Sequence, residues 1–254
     1  MCALVGCSFK HANKLLSEVL LLVKIKGIQK ASLVDFEPHL VSTLFLGGCN
    51  LKCPFCQNPS LVLNPEATPD IPEDDVLSFL SSRKKWLDGV CITGGEPTIH
   101  KDLPVFIERI RKKGIRRIKL DTNGTNPLML EQLIKKKLVD YVALDIKSSL
   151  EGYDAASGVK VEKENIIKSA KLLMDSGVDY EFRTTAVPDF FTSSHAISVS
   201  QWLGGAKRYA IQQFRDTKPL IGKSSLNKKP YSEAELNALK SILDGSFDQV
   251  IVKQ

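Results

Sequence analysis

The stretch Val41-Ser42-Thr43-Leu44-Phe45-Leu46-Gly47-Gly48-Cys49-Asn50-Leu51-Lys52-Cys53-Pro54-Phe55-Cys56 joins an apolar run to three cysteines at C-x3-C-x2-C spacing. The run reads as a strand, and the loop after it offers three thiols from one short segment. That is one fewer than a closed iron–sulfur or zinc site uses. A [4Fe–4S] cube held by three cysteines leaves one iron with a free position. Structural zinc normally closes with four ligands, usually from two cysteine pairs. No second pair follows, and Cys2, Cys7 and Cys91 stand at no ligand spacing from the loop. The spacing favours an open cluster, with zinc, a disulfide or buried thiols as the alternatives.

Working outward, further strand candidates are Gly89–Thr93, Arg117–Thr122, Tyr141–Ile146, Tyr180–Val187, Tyr209–Phe214 and Gln249–Lys253. Helical stretches fall between them, near Glu73–Lys85, Leu103–Lys113, Leu128–Lys137, Lys163–Ser176, Ser194–Leu203 and Glu233–Leu243. Asn126-Pro127 reads as an N-cap with proline at the first helical position. Ser232 with Glu235 reads as a capping box, and Gly114 and Gly177 fall where helices stop. Parallel strands need crossover connections, which helices provide, so the alternation indicates an α/β fold. About six βα units fall short of a complete eight-unit barrel. A partial (β/α)6 barrel is expected in preference to an open doubly wound sheet. Asn58–Pro72 and Asp216–Pro230 are expected to be loops.

The unusual residues collect at the carboxyl ends of these strands, where parallel sheets and barrels bind ligands. Thr93-Gly94-Gly95-Glu96-Pro97 offers bare backbone from paired glycines and a carboxylate suited to an ammonium group; by itself it could be a plain turn. Asp121-Thr122-Asn123-Gly124 has the composition of an Asx turn closed by glycine. In Asp145-Ile146-Lys147, alternation sets an acid and a base on one face. Arg183 lies in an apolar run, and a buried arginine calls for a carboxylate partner. Either Gln212 or Gln213 faces inward. Asp35 is open in role, His39 and His100 read as solvated or hydrogen-bonded residues, and Cys91 as a small buried apolar residue.

A chain of 254 residues, 43% hydrophobic and 25% charged, is ordinary for one globular core. Six cysteines, three in one loop, fit a reducing compartment, so a cytoplasmic location is expected. The net charge of +6 is mild. The basic stretch Arg109, Arg111, Lys112, Lys113, Arg116, Arg117 and Lys119, with Lys135-Lys136-Lys137, reads as solvated helix faces, or else as a dock for an acidic partner. No aromatic residues interleave with these charges, so no nucleic acid is expected. Met1–Gly6 starts like a glutamine amidotransferase, but no domain of the needed size precedes the cysteine loop. Leu4-Val5-Gly6-Cys7 lacks the leader of a lipoprotein site. Leu15–Val23 is too short to span a bilayer, so no membrane is expected.

C-x3-C-x2-C with Phe55 before the last cysteine, then Gly94-Gly95-Glu96-Pro97 at the next strand, resembles the radical S-adenosylmethionine superfamily. Lys26-Gly27-Ile28-Gln29-Lys30, Ser32-Leu33-Val34-Asp35-Phe36 and Gln57-Asn58-Pro59 narrow the resemblance to activating enzymes of glycyl radical enzymes. It covers roughly residues 25 to 215. It implies a radical SAM core over residues 25–254, behind an extension of residues 1–24 that is expected to be helical. It implies that Cys49, Cys53 and Cys56 bind a [4Fe–4S] cluster whose fourth iron is chelated by S-adenosyl-L-methionine. Phe55 would lie beside the adenine, Gly94, Gly95 and Glu96 would hold the methionyl amino group, and Lys147 would meet the methionyl carboxylate. Asp145 would meet the ribose hydroxyls or a monovalent cation bound with Asp121 and Thr122. Gln57 and Arg183 join the same cofactor surroundings.

The implied chemistry is reductive cleavage of S-adenosylmethionine to a 5′-deoxyadenosyl radical, which takes a hydrogen atom from a glycine Cα. No side-chain acid or base is required, so no catalytic residue is named. The implied partners are a flavodoxin- or ferredoxin-type electron donor and a glycyl radical enzyme, first of all anaerobic ribonucleoside-triphosphate reductase. Pyruvate formate-lyase, another glycyl radical enzyme, a peptide or a small molecule are the alternative substrates. A non-catalytic metal-binding protein is the rival from another class, and it has no use for Gly94–Glu96 and Lys147 together.

Overall fold

A computed structural model of the protein describes residues 23–216, 219–222 and 229–253. One eight-stranded sheet carries its strands in chain order. β1 (Ile25–Ser32) runs antiparallel to β2 (Val41–Leu46). From β2 every pairing is parallel, through β3 (Gly89–Gly94), β4 (Arg117–Thr122), β5 (Tyr141–Asp145), β6 (Asp179–Ala186), β7 (Arg208–Gln213) and β8 (Gln249–Lys253). Helices α1 (Pro59–Leu63) and α2 (Glu73–Arg83) connect β2 to β3. The later crossovers hold α3 (Leu103–Lys112), α4 (Pro127–Lys135), α5 (Tyr153–Ser157) with α6 (Lys163–Asp175), α7 (Ser193–Leu203) and α8 (Glu233–Leu243).

This strictly sequential order decides between the two parallel architectures. Right-handed crossovers that always step the same way put every helix on one face, and the other face curls inward. A doubly wound sheet reverses its strand order partway. Phe45, Thr93, Asp121, Asp145, Arg183 and Gln212, from β2 through β7, accordingly line one cavity. Val34, just after β1, and Lys253 of β8 share a smaller recess, so the two edges of the open barrel face each other. The expected partial barrel is present, with β1 added at its front edge.

Side chains facing the helices form the main core. Leu44, Ile92, Leu120, Leu144, Phe182 and Ile211 from the sheet meet Leu80, Phe106, Leu133, Ile166, Val199 and Leu239 from the helices, all buried. Each such side chain contributes roughly 2 kcal/mol relative to leaving it in water. Beneath the barrel, Phe36, Val41 and Cys91 form a small second cluster against Tyr141. Cys91 is thus the buried apolar residue expected.

The caps follow the sequence closely. The Asn126 side chain accepts from the Met129 amide ahead of Pro127. Ser232 and Glu235 form the reciprocal capping box. Gly114 closes α3 at φ +94. Gly177 follows α6 without entering the left-handed region. Two expectations change. β1 was not foreseen, and Asn58–Pro72 is not plain loop but folds as α1 and a 3-10 turn over Pro65–Ala67. The helical extension was expected over residues 1–24; residues 1–22 lie outside the described residues, and Val23 and Lys24 lead into β1 and are not helical. Val23 is buried, and its amide donates to Glu73 Oε1 (3.0 Å). No helix among the described residues is long and apolar enough to cross a membrane.

Candidate active site

The cysteine loop and the Gly-Gly-Glu-Pro loop are built against each other, backbone to backbone. The Gly95 amide donates to Leu46 O and the Glu96 amide to Gly48 O, both at 2.8 Å. A Cβ on Gly94, at φ +116, would fall 2.4 Å from the Leu46 nitrogen, and one on Gly95 would fall 1.8 Å from the Gly48 oxygen. Both glycines line the cavity. Their lack of a side chain is required by this loop packing as well, a constraint beyond the ligand's approach expected from the sequence. His100 is hydrogen-bonded as anticipated, with Nε2 3.0 Å from Gly47 O.

Cys49, Cys53 and Cys56 all line the cavity, Cys53 buried and the other two half-buried. The Leu51 amide donates to Cys49 Sγ and the Asn58 amide to Cys56 Sγ, each at 3.4 Å. Burial pushes all three thiols up, Cys49 to about 12, while the Lys147 charge pulls each one back. Among the described residues no three His, Cys, Asp or Glu side chains gather as ligands of one metal ion. Cysteines of an iron–sulfur cube bind separate irons and do not need to converge.

Glu96 is fully buried and already heavily committed. Oε1 accepts from the Thr98 amide (3.0 Å), the Thr98 hydroxyl (2.5 Å) and the Thr122 hydroxyl (2.7 Å). Oε2 accepts from the Asn123 amide (2.6 Å). The carboxylate therefore ties together the ends of β3 and β4, and Oε2 keeps acceptor capacity for a ligand. Burial raises its pKa and these hydrogen bonds lower it in part. The turn beyond Thr122 is the Asx turn anticipated: the Thr125 amide donates to Asn123 Oδ1 (3.0 Å), and Gly124 sits at φ +75.

A chain of alternating charges crosses the inside of the barrel. Lys119 Nζ lies 2.9 Å from Asp121 Oδ1, and Arg183 Nη2 3.0 Å from Asp121 Oδ2. Arg183 Nε donates to Asp145 Oδ1, and Lys147 Nζ donates to Asp145 Oδ2 (3.0 Å). Arg183 thus has the carboxylates its burial demanded. Both acids are held below the usual carboxylate range by these cations acting against burial, and Lys147 is held above the usual lysine range by Asp145. Lys119 was not foreseen as part of the site. The signal was present, since it stands two residues before Asp121 in a strand and so shares its inward face.

Phe55 lines the cavity with its ring 5.7 Å from that of Phe190. Gln57 lines it too, but its exposed amide donates to Arg215 O (3.0 Å). Gln212 and Gln213 both reach the cavity. The Gln213 side chain is tied to Phe214 O and Tyr231 O, whereas the Gln212 side chain makes no hydrogen bond to a described residue. Asp35 reaches the cavity from below, accepting from the Thr43 hydroxyl (2.5 Å). His39 packs against Phe36 and lies outside the site. Asn58 is an unforeseen neighbour, donating to Gly94 O (3.5 Å).

Apart from Lys119, which is buried inside the barrel beside Asp121, the basic stretch is elsewhere. Arg117 opens β4, and Thr122, roughly 17 Å along the strand, reaches the cavity. Nor is the stretch wholly solvated: Arg109 pairs with Glu73 and Asp74, and Arg111 with Asp140.

The cavity holds about 400 Å³, within the range of small-molecule sites. Three thiols stand on one side and a lysine ammonium, a buried carboxylate and a free amide face the same space. That donor set suits a metal cluster with a small zwitterionic cofactor. The Radical SAM superfamily profile matches residues 43–191, and the chain belongs to that superfamily. Membership brings with it a [4Fe–4S] cluster and S-adenosylmethionine, and the residues present fit both.

A protein of Methanocaldococcus jannaschii, named as a candidate glycyl-radical enzyme activating enzyme, is 32% identical over 90% of this chain and 95% of its own. The pyruvate formate-lyase-activating enzyme of Clostridium pasteurianum is 27% identical over 68% of this chain and 73% of its own. Among solved structures, Streptococcus suis SuiB bound to S-adenosylmethionine superposes with a TM-score of 0.60 at 22% identity. That match covers 76% of this chain and 44% of SuiB, so the chain spans less than half of SuiB's length. At this identity the likeness speaks for the fold alone.

Proposed function

We propose that this radical SAM enzyme activates a glycyl radical enzyme by installing the radical on its glycine. The observation that carries the reading is the near full-length similarity to the M. jannaschii protein, over 95% of that chain. The chemistry supplied by a bound cluster and S-adenosylmethionine is one-electron cleavage of the sulfonium to methionine and a 5′-deoxyadenosyl radical, then hydrogen-atom abstraction from a glycine Cα. The protein's part is to bind, orient and exclude side reactions.

In this proposal Cys49, Cys53 and Cys56 hold the cluster. Lys147 meets the methionyl carboxylate, and Gly94, Gly95 and Glu96 Oε2 receive the amino group. Asp145 and Gln212 serve the ribose, Phe55 flanks the adenine, and Gln57 closes the loop over the site. Asp121 and Arg183 hold Asp145 in position. No monovalent cation enters the proposal, because Asp121, Thr122 and Asp145 are already engaged by protein groups. The facing edges of the open barrel offer the folded partner a way in.

The electron donor, of flavodoxin or ferredoxin type, approaches from the cysteine-loop end, since the basic stretch lies at the opposite end. Residues 25–254 act as one core, in the cytoplasm. Anaerobic ribonucleoside-triphosphate reductase is the partner taken first, on the resemblance of Lys26–Phe36 and Gln57–Pro59.

Electron paramagnetic resonance tests the partner directly. The reconstituted protein, S-adenosylmethionine and a reductant are mixed with that reductase, and separately with pyruvate formate-lyase. A glycyl radical doublet on the reductase is expected. A doublet on pyruvate formate-lyase alone would move the proposal to that partner, and none on any glycyl radical enzyme would overturn it.

A further inference from the structure

We infer, building on the cofactor reading above, that the guanidinium of Arg183 occupies the place between Asp121 and Asp145 that the sequence resemblance assigns to a monovalent cation, so that S-adenosylmethionine binds here without Na⁺ or K⁺. Each group expected to ligate that ion is taken. Asp121 Oδ2 meets Arg183 Nη2 at 3.0 Å, and Asp145 Oδ1 accepts from Arg183 Nε. Asp145 Oδ2 accepts from Lys147, and the Thr122 hydroxyl donates to Glu96 and accepts from the Gly124 amide (3.2 Å). Asp121 Oδ1 accepts no hydrogen bond, but it is buried 2.9 Å from the Lys119 ammonium. Even the oxygen with spare acceptor capacity faces a positive charge.

The exchange is physically sound. A bare cation needs several oxygens at short range, and these oxygens already neighbour three basic side chains. Arginine remains charged at every relevant pH, and its planar fork fits two carboxylates at once. Its side chain is 12% exposed, as is that of Asp121, so a further cation would enter next to a buried like charge. Removing the guanidinium would leave two buried carboxylates, and that vacancy is where an ion becomes favourable. Arg183 is on this account a positioning residue: it fixes Asp145, and through it Lys147.

Isothermal titration of S-adenosylmethionine into the reconstituted protein provides the test. Buffers hold ionic strength constant with KCl, NaCl or tetramethylammonium chloride. The wild-type Kd is expected to agree within about twofold across the three salts. Arg183→Ala should bind at least tenfold more weakly in tetramethylammonium and recover in K⁺ or Na⁺, whereas Arg183→Lys should stay insensitive. A wild-type Kd that rises tenfold without Na⁺ and K⁺ would overturn the inference. So would an Arg183→Ala protein that binds equally in all three salts. If wild type binds no S-adenosylmethionine in any buffer, the cofactor reading itself fails and takes this inference with it.

Discussion

A β-carbon on Gly95 would stand 1.8 Å from the carbonyl oxygen of Gly48. The loop that carries the cysteines and the loop after β3 therefore fit only with glycine at this point, since a backbone atom cannot swing away as a side chain can. Gly95→Ala should force the loops apart, destabilising the cluster-free protein by about 3 kcal/mol. It should also lower the iron content after reconstitution. Urea unfolding together with iron analysis checks both, and an alanine variant as stable as wild type with full iron would refute the packing claim.

Glu96 tests whether a buried carboxylate joins two strand ends. In Glu96→Gln, one oxygen becomes an amide nitrogen and meets either the Asn123 amide or the donors from Thr98 and Thr122. A donor facing a donor in a dry site costs about 1–3 kcal/mol. The expected outcome is that loss in urea unfolding, with weaker S-adenosylmethionine binding. Unchanged stability would show that the hydrogen bonds are not formed.

Lys119 and Asp121 form the buried inner end of the charge chain, with side chains 5% and 12% exposed. Lys119→Met leaves Asp121 with Arg183 as its sole neighbouring cation in the chain and should destabilise by about 3 kcal/mol. Adding Asp121→Asn should restore part of that loss, because it removes the uncompensated charge. A double variant that only adds the two single losses would contradict coupling between the pair.

The thiols set a pH dependence. Burial raises the folded-state pKa of Cys49, Cys53 and Cys56, so above the ordinary thiol value the folded state binds more protons than the unfolded chain. Stability is then flat below that value and falls as pH rises above about 9, for Cys49 on toward about 12, by up to about 1.4 kcal/mol per pH unit for a thiol titrating in that window. The cluster-free protein in reductant should show this fall in urea unfolding, and a variant with all three cysteines changed to alanine should show much less. An identical fall in both proteins would assign it to other groups.

Much of this was legible in the chain, and the parts that were not have definite causes. Apolar runs from Val41 onward and caps such as Asn126 and Ser232 act locally, so periodicity and turn chemistry identify them. β1 escaped because Gln29, Lys30 and Ala31 are exposed, Gly27 interrupts the run, and register shifts break the alternation. The packing requirement at Gly94 and Gly95 was not legible because the partner segment that excludes a side chain, Leu46–Gly48, lies more than forty residues earlier. The cysteine spacing pointed to the cluster, and Asp145 and Lys147 were visible as a same-face pair. That Arg183 bridges Asp121 and Asp145 is a property of three strands brought together by the barrel.

The most direct measurement of the central claim is anaerobic reconstitution with iron and sulfide, followed by assay for 5′-deoxyadenosine with and without a low-potential reductant. The expected result is a protein holding one four-iron cluster that releases 5′-deoxyadenosine only when reductant and S-adenosylmethionine are both present. This activity should disappear when Cys49, Cys53 or Cys56 is replaced by alanine. A protein that takes up zinc alone, or that carries the cluster and yields no 5′-deoxyadenosine, would contradict it.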